Sequence, residues 1–273
     1  MPKMYPVLLQ TESITIYSYS IMMSLAFLTG SLIFILGGRR NGIATTTLFK
    51  LVLIAQFSAL AGARLLFVIN NFSLFQNDIM MAFAPVPGGF AMNGGLIFVV
   101  IAASFYLRHK NISFFKIADE IVLPLAILII ILKVGCLLGG CCYGTETNFW
   151  GINYSVSSPA FNTLGPSHTL HAVPLYEAGS VFLILAVLKL VHSRVSFQGE
   201  TLILFIILYC FARITTDFFR GDVDHNYFTG LTQTQVISIF AMISIALLYI
   251  LKLKQHISQN AASAIKEKTI SSY

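Results

Sequence analysis

Seven apolar runs, each close to the roughly 20 residues that a helix needs to cross a bilayer, lie near 14–36, 48–70, 91–107, 117–138, 173–191, 200–220 and 230–251. Between them lie polar connections, the longest at 139–172, and after them a polar tail from Ser258 to Tyr273 that is expected to fray. No period-two strand pattern, heptad repeat or soluble-domain stretch competes with this reading. The pattern predicts an all-α polytopic membrane protein of about seven transmembrane helices. It divides into a transmembrane domain over 1–257, with 139–172 as an external segment, and a cytoplasmic tail over 258–273.

The orientation follows from charge. Arg39, Arg40 and Lys50 flank the first connection, Arg108, Lys110 and Lys116 the third, and Lys189 and Arg194 the fifth, while Lys252, Lys254, Lys266 and Lys268 follow the seventh run. The second, fourth and sixth connections carry Asp78, Glu146, Asp222 and Asp224 and no Lys or Arg. Basic residues stay on the cytoplasmic side of a membrane, so the N-terminus is expected outside and the C-terminus in the cytoplasm. The first run is followed by Gly37-Gly38-Arg39-Arg40 and not by small residues that a signal peptidase would cut, so it reads as a retained span.

Composition agrees. Of the 273 residues 56% are hydrophobic and 10% charged, against about 25% charged in a soluble domain. The net charge of +6 sits at the ends of apolar runs and not in a cluster, so no nucleic-acid partner is expected. The cysteines are Cys136, Cys141, Cys142 and Cys210, with no C-x-x-C pair and no histidine at zinc-finger spacing. No metal site is expected from that spacing. Cys136 can close a short disulfide with Cys141 or Cys142 in an oxidising compartment, and each is otherwise a partly buried thiol.

Two features break the apolar pattern. Lys133 to Gly144 ends the fourth run with a lysine, four glycines and three cysteines, a composition that no helix would choose for stability, since each glycine costs about 0.8–1 kcal/mol against alanine. Charges also stand inside or at the ends of runs: Arg64, Lys133, Glu177, Arg213, Asp217 and Arg220, with Tyr19 and Asn93 as polar companions. A charge in hydrocarbon costs about 2.5–3.5 kcal/mol on insertion scales. By the orientation above all of these fall toward the outer leaflet. Arg213, Asp217 and Arg220, spaced i, i+4, i+7, share a helix face. Three arginines and a lysine against two carboxylates predict a net-positive cavity for an anionic headgroup. The structural alternatives are an internally paired Arg213–Asp217 with a snorkelling Arg220, a Lys133 that pairs with Asp119 or Glu120 or snorkels outward, an interfacial anchor at Tyr19, a helix start at Asn93, a helix cap from Tyr176 and Glu177, and a surface role for His171.

With these residues in view the chain resembles the prolipoprotein diacylglyceryl transferase family along nearly its whole length. Ile16-Tyr17-Ser18-Tyr19-Ser20-Ile21-Met22 looks like the first-span motif, with Tyr19 at its functional tyrosine. Gly62-Ala63-Arg64-Leu65 is similar to G-[AG]-R-[IL], and Met92-Asn93-Gly94-Gly95-Leu96-Ile97 to H-G-G-L-[IL]. Asp119 matches an acidic position of the fourth span. Lys133 to Gly144 aligns with G-R-[IL]-G-N-F-x-N-G-E-x-x-G, and Gly140-Cys141-Cys142-Tyr143-Gly144 is similar to a variant of it in a divergent branch. His171 to Glu177 looks like H-P-[TS]-Q-L-Y-E, and Arg213 to Arg220 resembles R-x-x-x-E-x-x-R.

The resemblance implies an enzyme of the bacterial cytoplasmic (inner) membrane that moves a diacylglyceryl group from phosphatidylglycerol to the lipobox cysteine of a preprolipoprotein, releasing glycerol phosphate, with no cofactor. It implies catalytic roles for Tyr19, Asn93, Lys133, Arg213 and Asp217, and lipid or phosphate binding by Arg64, Gly94, Gly95, Gly135, Gly144, Tyr176, Glu177 and Arg220. The chain departs from the family pattern at Asn93 for histidine, Lys133 for arginine, Cys136 for asparagine, Ala172 and Pro174 for the Pro and Gln of the later motif, and Asp217 for glutamate. The alternative these departures leave open is a family member acting as a lipid-binding accessory protein or using a different acceptor.

Overall fold

The computed structural model describes residues 5–12, 15–76, 78–83, 89–155, 158–165, 168–191 and 195–270, without the side chains of residues 79 and 261–270. Arg194 and the side chains of Lys266 and Lys268 lie outside the described residues. The elements in order are strands β1 (Val7–Gln10) and β2 (Thr15–Tyr17), helices α1 (Ser18–Arg40) and α2 (Thr45–Asn70), two short 3₁₀ turns, α3 (Met92–His109), α4 (Phe114–Gly139), β3 (Ile152–Asn153), α5 (Pro159–Leu164), β4 (Thr169–Leu170), α6 (Val173–Val191), α7 (Glu200–Asp217) and α8 (Gln233–Ile270).

Among the described residues six helices are long and apolar enough to cross a membrane: α1, α2, α3, α4, α6 and α8 as far as Asn260. The protein is a mostly helical, polytopic membrane protein. Leu28, Phe57, Leu190 and Phe240 are each exposed by more than 65%, as helices facing lipid require and a water-soluble surface would not tolerate in such numbers. The sixth expected run forms α7, which holds Glu200, Arg213 and Asp217 within 18 residues.

Three expectations are corrected. The fold is not purely helical: β1 and β2 pair antiparallel, with Val7 opposite Tyr17 and a register shift before Leu9, and β3 and β4 pair in the segment after α4. These pairs are too short for any alternation to show in the sequence. The tail does not fray at Ser258, since α8 continues to Ile270; residues 271–273 lie outside the described residues. And α7 ends at Asp217, so Arg220 stands in the turn beyond it.

The chain forms two compact units, one of Phe34–Ile117 and one of the residues up to Ile33 together with those from Ala118 onward. In the larger unit α4, α6 and α7 pack through Val122 and Ala126, Val181, Ile184 and Leu188, and Phe205 and Ala212. Between helices in lipid the attraction is van der Waals packing and not hydrophobic burial, which favours small residues at contacts. Ala126 and Ala212 serve that purpose here. Helix ends are capped from a distance: Asp119 on α4 accepts from the backbone N–H of Gly199 (2.8 Å) and Leu202 (3.1 Å) at the start of α7. Thr232 and Gln235 form a reciprocal capping box at the start of α8, with bonds of 2.9 and 3.1 Å. In the smaller unit α2 and α3 approach so closely at Gly62 and Gly94 that a Cβ on Gly62 would lie 2.5 Å from the Gly94 carbonyl oxygen.

Candidate functional site

The site of the larger unit is built where α4 ends. Lys133 points into a junction with α6 and α7 and pairs with Glu177, whose other carboxylate oxygen pairs with Arg213. Arg213 reaches on to Asp217 at 2.8 Å, one helical turn along α7. Asp217 also takes the Thr232 hydroxyl at 2.9 Å and has Arg220 at 4.0 Å. Arg220 in turn makes a bidentate pair with Asp222, both bonds 2.8 Å. Glu177 is 1% exposed and Asp217 0%. Charges so enclosed persist only because each has a partner, and deleting one partner of a buried pair costs about 3–5 kcal/mol.

This network corrects several sequence expectations. Lys133 does not pair with Asp119 or Glu120: Asp119 lies fourteen residues earlier on the same helix, about 21 Å away, and is spent on capping α7. The expected surplus of cations is not found in this unit, where Lys133, Arg213 and Arg220 meet Glu177, Asp217 and Asp222, three against three. The reason is the turn after α7, which folds Asp222 back onto Arg220. Although burial opposes its charge, the Asp222 carboxylate holds the Arg220 guanidinium above its ordinary value.

Beyond Gly139 the chain turns at Gly140, with φ +70, and again at Cys142, with φ +56, a left-handed conformation that costs a non-glycine residue about 1–2 kcal/mol. The turn brings the sulfurs of Cys136, Cys141 and Cys142 within 4.8 Å of one another, and all are free thiols. Hydrogen bonding with the Cys136 and Cys141 thiols, then the nearby Lys133 and Arg220, hold the Cys142 thiol below its usual range. Burial first, then the neighbouring Cys141 and Cys142, push the Tyr154 hydroxyl above its own.

Residues 143–145 then run between 169–171 and 219–221. Gly144 N donates to the His171 carbonyl (3.1 Å), Thr145 N to that of Phe219 (2.8 Å) and Gly221 N to that of Tyr143 (3.0 Å). Gly144 is therefore a crossing point of backbone, with a Cβ there only 2.6 Å from the His171 carbonyl oxygen. Tyr176 stacks on Trp150 at 5.7 Å, meets Phe219 edge-on at 6.0 Å and shares a 3.0 Å hydrogen bond with His171 Nδ1. His171 is thus no free surface group. Tyr19, 37% exposed, lies over α4, its ring 3.6 Å from a Cβ built on Gly135 and its Cβ 3.5 Å from one on Gly139. Gly135 admits α1 against α4, a Cβ there falling 2.8 Å from Met22.

Of the thirteen expected site residues, nine lie in this unit: Tyr19, Lys133, Gly135, Gly144, Tyr176, Glu177, Arg213, Asp217 and Arg220. Arg64, Asn93, Gly94 and Gly95 belong to the smaller one. There Arg64 donates to the carbonyls of Ala82 (2.7 Å), Gly89 (3.0 Å) and Met81 (2.8 Å) and lies within 6 Å of the rings of Phe67, Phe75 and Phe90. In this structure it clamps the connection between α2 and α3. Asn93 is exposed on the first turn of α3. Gly94 and Gly95 face α2, where a Cβ on Gly95 would lie 2.9 Å from the Ala59 carbonyl oxygen, so helix approach accounts for both. The residues that the sequence reading missed are Thr232, Gln235, Asp222 and Trp150. Of these only Thr232-Gln233-Thr234-Gln235 carried a signal, the capping-box spacing before an apolar run.

Comparison with known proteins gives the following. The family model for prolipoprotein diacylglyceryl transferase matches residues 6–251. A phosphatidylglycerol–prolipoprotein diacylglyceryl transferase 2 of Clostridium perfringens is 30% identical over 240 residues, covering 86% of this chain and 90% of the relative. A phosphatidylglycerol–prolipoprotein diacylglyceryl transferase of Clostridioides difficile is 30% identical over 232 residues, 84% and 88% of the two chains. One of Clostridium tetani is 27% identical over 243 residues, 88% and 94%.

Proposed function

Since the chain belongs to the prolipoprotein diacylglyceryl transferase family, we propose that it is a membrane-embedded transferase that moves a diacylglyceryl group from phosphatidylglycerol to the lipobox cysteine of a preprolipoprotein. The acceptor thiol's sulfur attacks the glyceryl carbon, and the thiol proton ends on the phosphate that is released. The bond from that carbon to the phosphate oxygen breaks, and glycerol phosphate leaves with the electron pair. The observation that carries the reading is the buried ion network at the end of α4, where three helices and a turn bring Lys133, Arg213 and Arg220 together. N–H donors fixed before the reaction stabilise a leaving phosphate without reorganising. Glu177 and Asp217 hold the cations in place. A phosphate arriving beside Lys133 or Arg220 exchanges a carboxylate partner for a phosphate one. Tyr19 and Tyr176 supply hydroxyls and aromatic surface to the same end of α4. Asn93, in the smaller unit, carries an amide where the family usually has histidine and so offers no general base.

The same reading makes α7 the seventh span, because Arg213 and Asp217 neutralise each other within it and so lower the cost of insertion. It places the N-terminus and the 139–172 segment outside the bacterial cytoplasmic membrane and the C-terminus in the cytoplasm, following the alternation of basic connections. The test is reconstitution of the full chain with phosphatidylglycerol and a lipobox peptide, with the thioether product read by mass spectrometry. Wild type forms product, Lys133→Met does not, and Lys133→Arg retains it, because a planar guanidinium pairs with both Glu177 and phosphate. Folded wild-type protein that binds the lipid and forms no product would refute the transferase reading and leave the lipid-binding accessory role.

A further inference from the structure

Three cysteines around one point are more than the transfer reaction uses, and their arrangement is specific. Cys136 lies buried on the last turns of α4, while Cys141 and Cys142 follow the reversal at Gly140. The left-handed backbone of Cys142 turns its thiol back toward the helix, placing its sulfur 3.9 Å from that of Cys136. Cys141 sits on the same side, its N–H donating to the Cys136 carbonyl at 3.1 Å and its sulfur 3.6 Å from that oxygen. Among the described residues these three form the group of thiols, imidazoles and carboxylates close enough to share a metal ion. Beside them the buried Tyr154 hydroxyl has no hydrogen-bond partner among the described residues.

Neutral thiols are weak donors and acceptors, so hydrogen bonding alone is a poor reason to hold three of them within 4.8 Å. A metal–sulfur bond of about 2.3 Å places thiolates about 3.8–4.0 Å apart in tetrahedral or trigonal geometry. The Cys136–Cys142 separation of 3.9 Å already has that value, and Cys141 meets it by closing less than an ångström. A disulfide needs sulfurs at about 2.05 Å and would leave the third thiol over. All-sulfur donor sets select soft d¹⁰ cations and reject magnesium, calcium and manganese. Three thiolates around such a cation keep a net negative charge, and Lys133 and Arg220 stand near Cys142 to offset it. The C-x₄-C-C spacing concealed the site from the sequence, because only the reversal at Gly140 brings its members together.

We propose that Cys136, Cys141 and Cys142 form a three-thiolate site for a thiophilic d¹⁰ cation, zinc(II) or copper(I), which fastens the end of α4 to the segment that follows it. The buried Tyr154 hydroxyl offers a hydrogen bond to a thiolate or to a water completing the coordination.

The test uses the full chain in detergent under reducing, chelator-buffered conditions, titrated separately with zinc(II) and copper(I), with cobalt(II) as a spectroscopic probe. One cation binds per chain, cobalt gives thiolate-to-metal charge-transfer bands, and bound metal shields three cysteines from maleimide as counted by mass spectrometry. The arm that survives chelator competition names the metal. Cys136→Ser and Cys142→Ser each lose more than the roughly 10–100-fold in affinity that follows loss of an outer-shell partner, while Cys210→Ser changes nothing. Shielding is read on wild type, so it decides the matter even where a serine variant fails to fold. The proposal is overturned by absence of stoichiometric binding of either cation, by affinity unchanged in both serine variants, or by a Cys136–Cys142 disulfide in protein isolated without reductant.

Discussion

Glu177→Gln weighs the electrostatics of the site directly. The carboxylate is 1% exposed and is the partner of both Lys133 and Arg213. Wild type sets three cations (Lys133, Arg213, Arg220) against three carboxylates (Glu177, Asp217, Asp222). Glu177→Gln leaves three against two, Lys133→Met leaves two against three, and the double variant restores balance at two against two. Glu177→Gln strips Lys133 of its carboxylate in a site where a lost partner costs about 3–5 kcal/mol. Lys133→Met costs less, because Glu177 keeps Arg213. The double variant is expected to recover part of the loss, with a coupling of about 0.5–3 kcal/mol, the range for residues sharing one network. The single tryptophan, Trp150, stacks on Tyr176 beside Glu177, so its fluorescence during denaturant unfolding in detergent reports on this region. Single effects that add in the double variant to within about 0.3–0.5 kcal/mol would show that Lys133 and Glu177 act independently and refute the shared network. Diacylglyceryl transfer is expected to stay lost in the double variant although folding recovers, since the charge that faces phosphate is gone.

Three further outcomes are expected. Arg64→Ala releases the carbonyls of Met81, Ala82 and Gly89, each bond to a charged group contributing about 1.5–3 kcal/mol; amide exchange should rise in the α2–α3 connection, and unchanged protection there would return Arg64 to the ligand-binding role its sequence context implies. Thr232→Val removes the hydroxyl that caps Gln235 N at the start of α8 and bonds Asp217, costing about 0.5–2 kcal/mol for the cap; it should lower the unfolding midpoint more than Thr234→Val, and equal effects would deny the cap. Reporter fusions after Arg108 and after Tyr154 should localise to opposite sides of the membrane, and both on one side would overturn the orientation argued from basic residues.

Apolar runs were legible in the sequence because lipid imposes one rule on every residue of a span: backbone polar groups must be satisfied within a helix and outward side chains must be apolar. That rule placed α1, α2, α3, α4, α6 and α7 close to their observed bounds, and the start of α8 but not its end. The charges of α4, α6 and α7 stood out for the same reason, since an ionised group in hydrocarbon is costly wherever it lies. Their pairing was not legible. Lys133 had Asp119 as the nearer partner in sequence, yet helix rise carries that carboxylate away to cap α7, and Glu177, forty-four residues later, takes its place. Asp222 looked like a loop acid until the turn after Asp217 set it on Arg220. Gly94, Gly95 and Gly135 matched motif positions, but the neighbouring backbone and Met22 assign them to helix approach. The three cysteines follow no ligand spacing, and only the left-handed turn at Gly140 and Cys142 gathers their sulfurs. Periodicity and desolvation act on each residue alone and are written along the chain, whereas ion partners and thiol clusters depend on distances that exist only after helices and turns have packed.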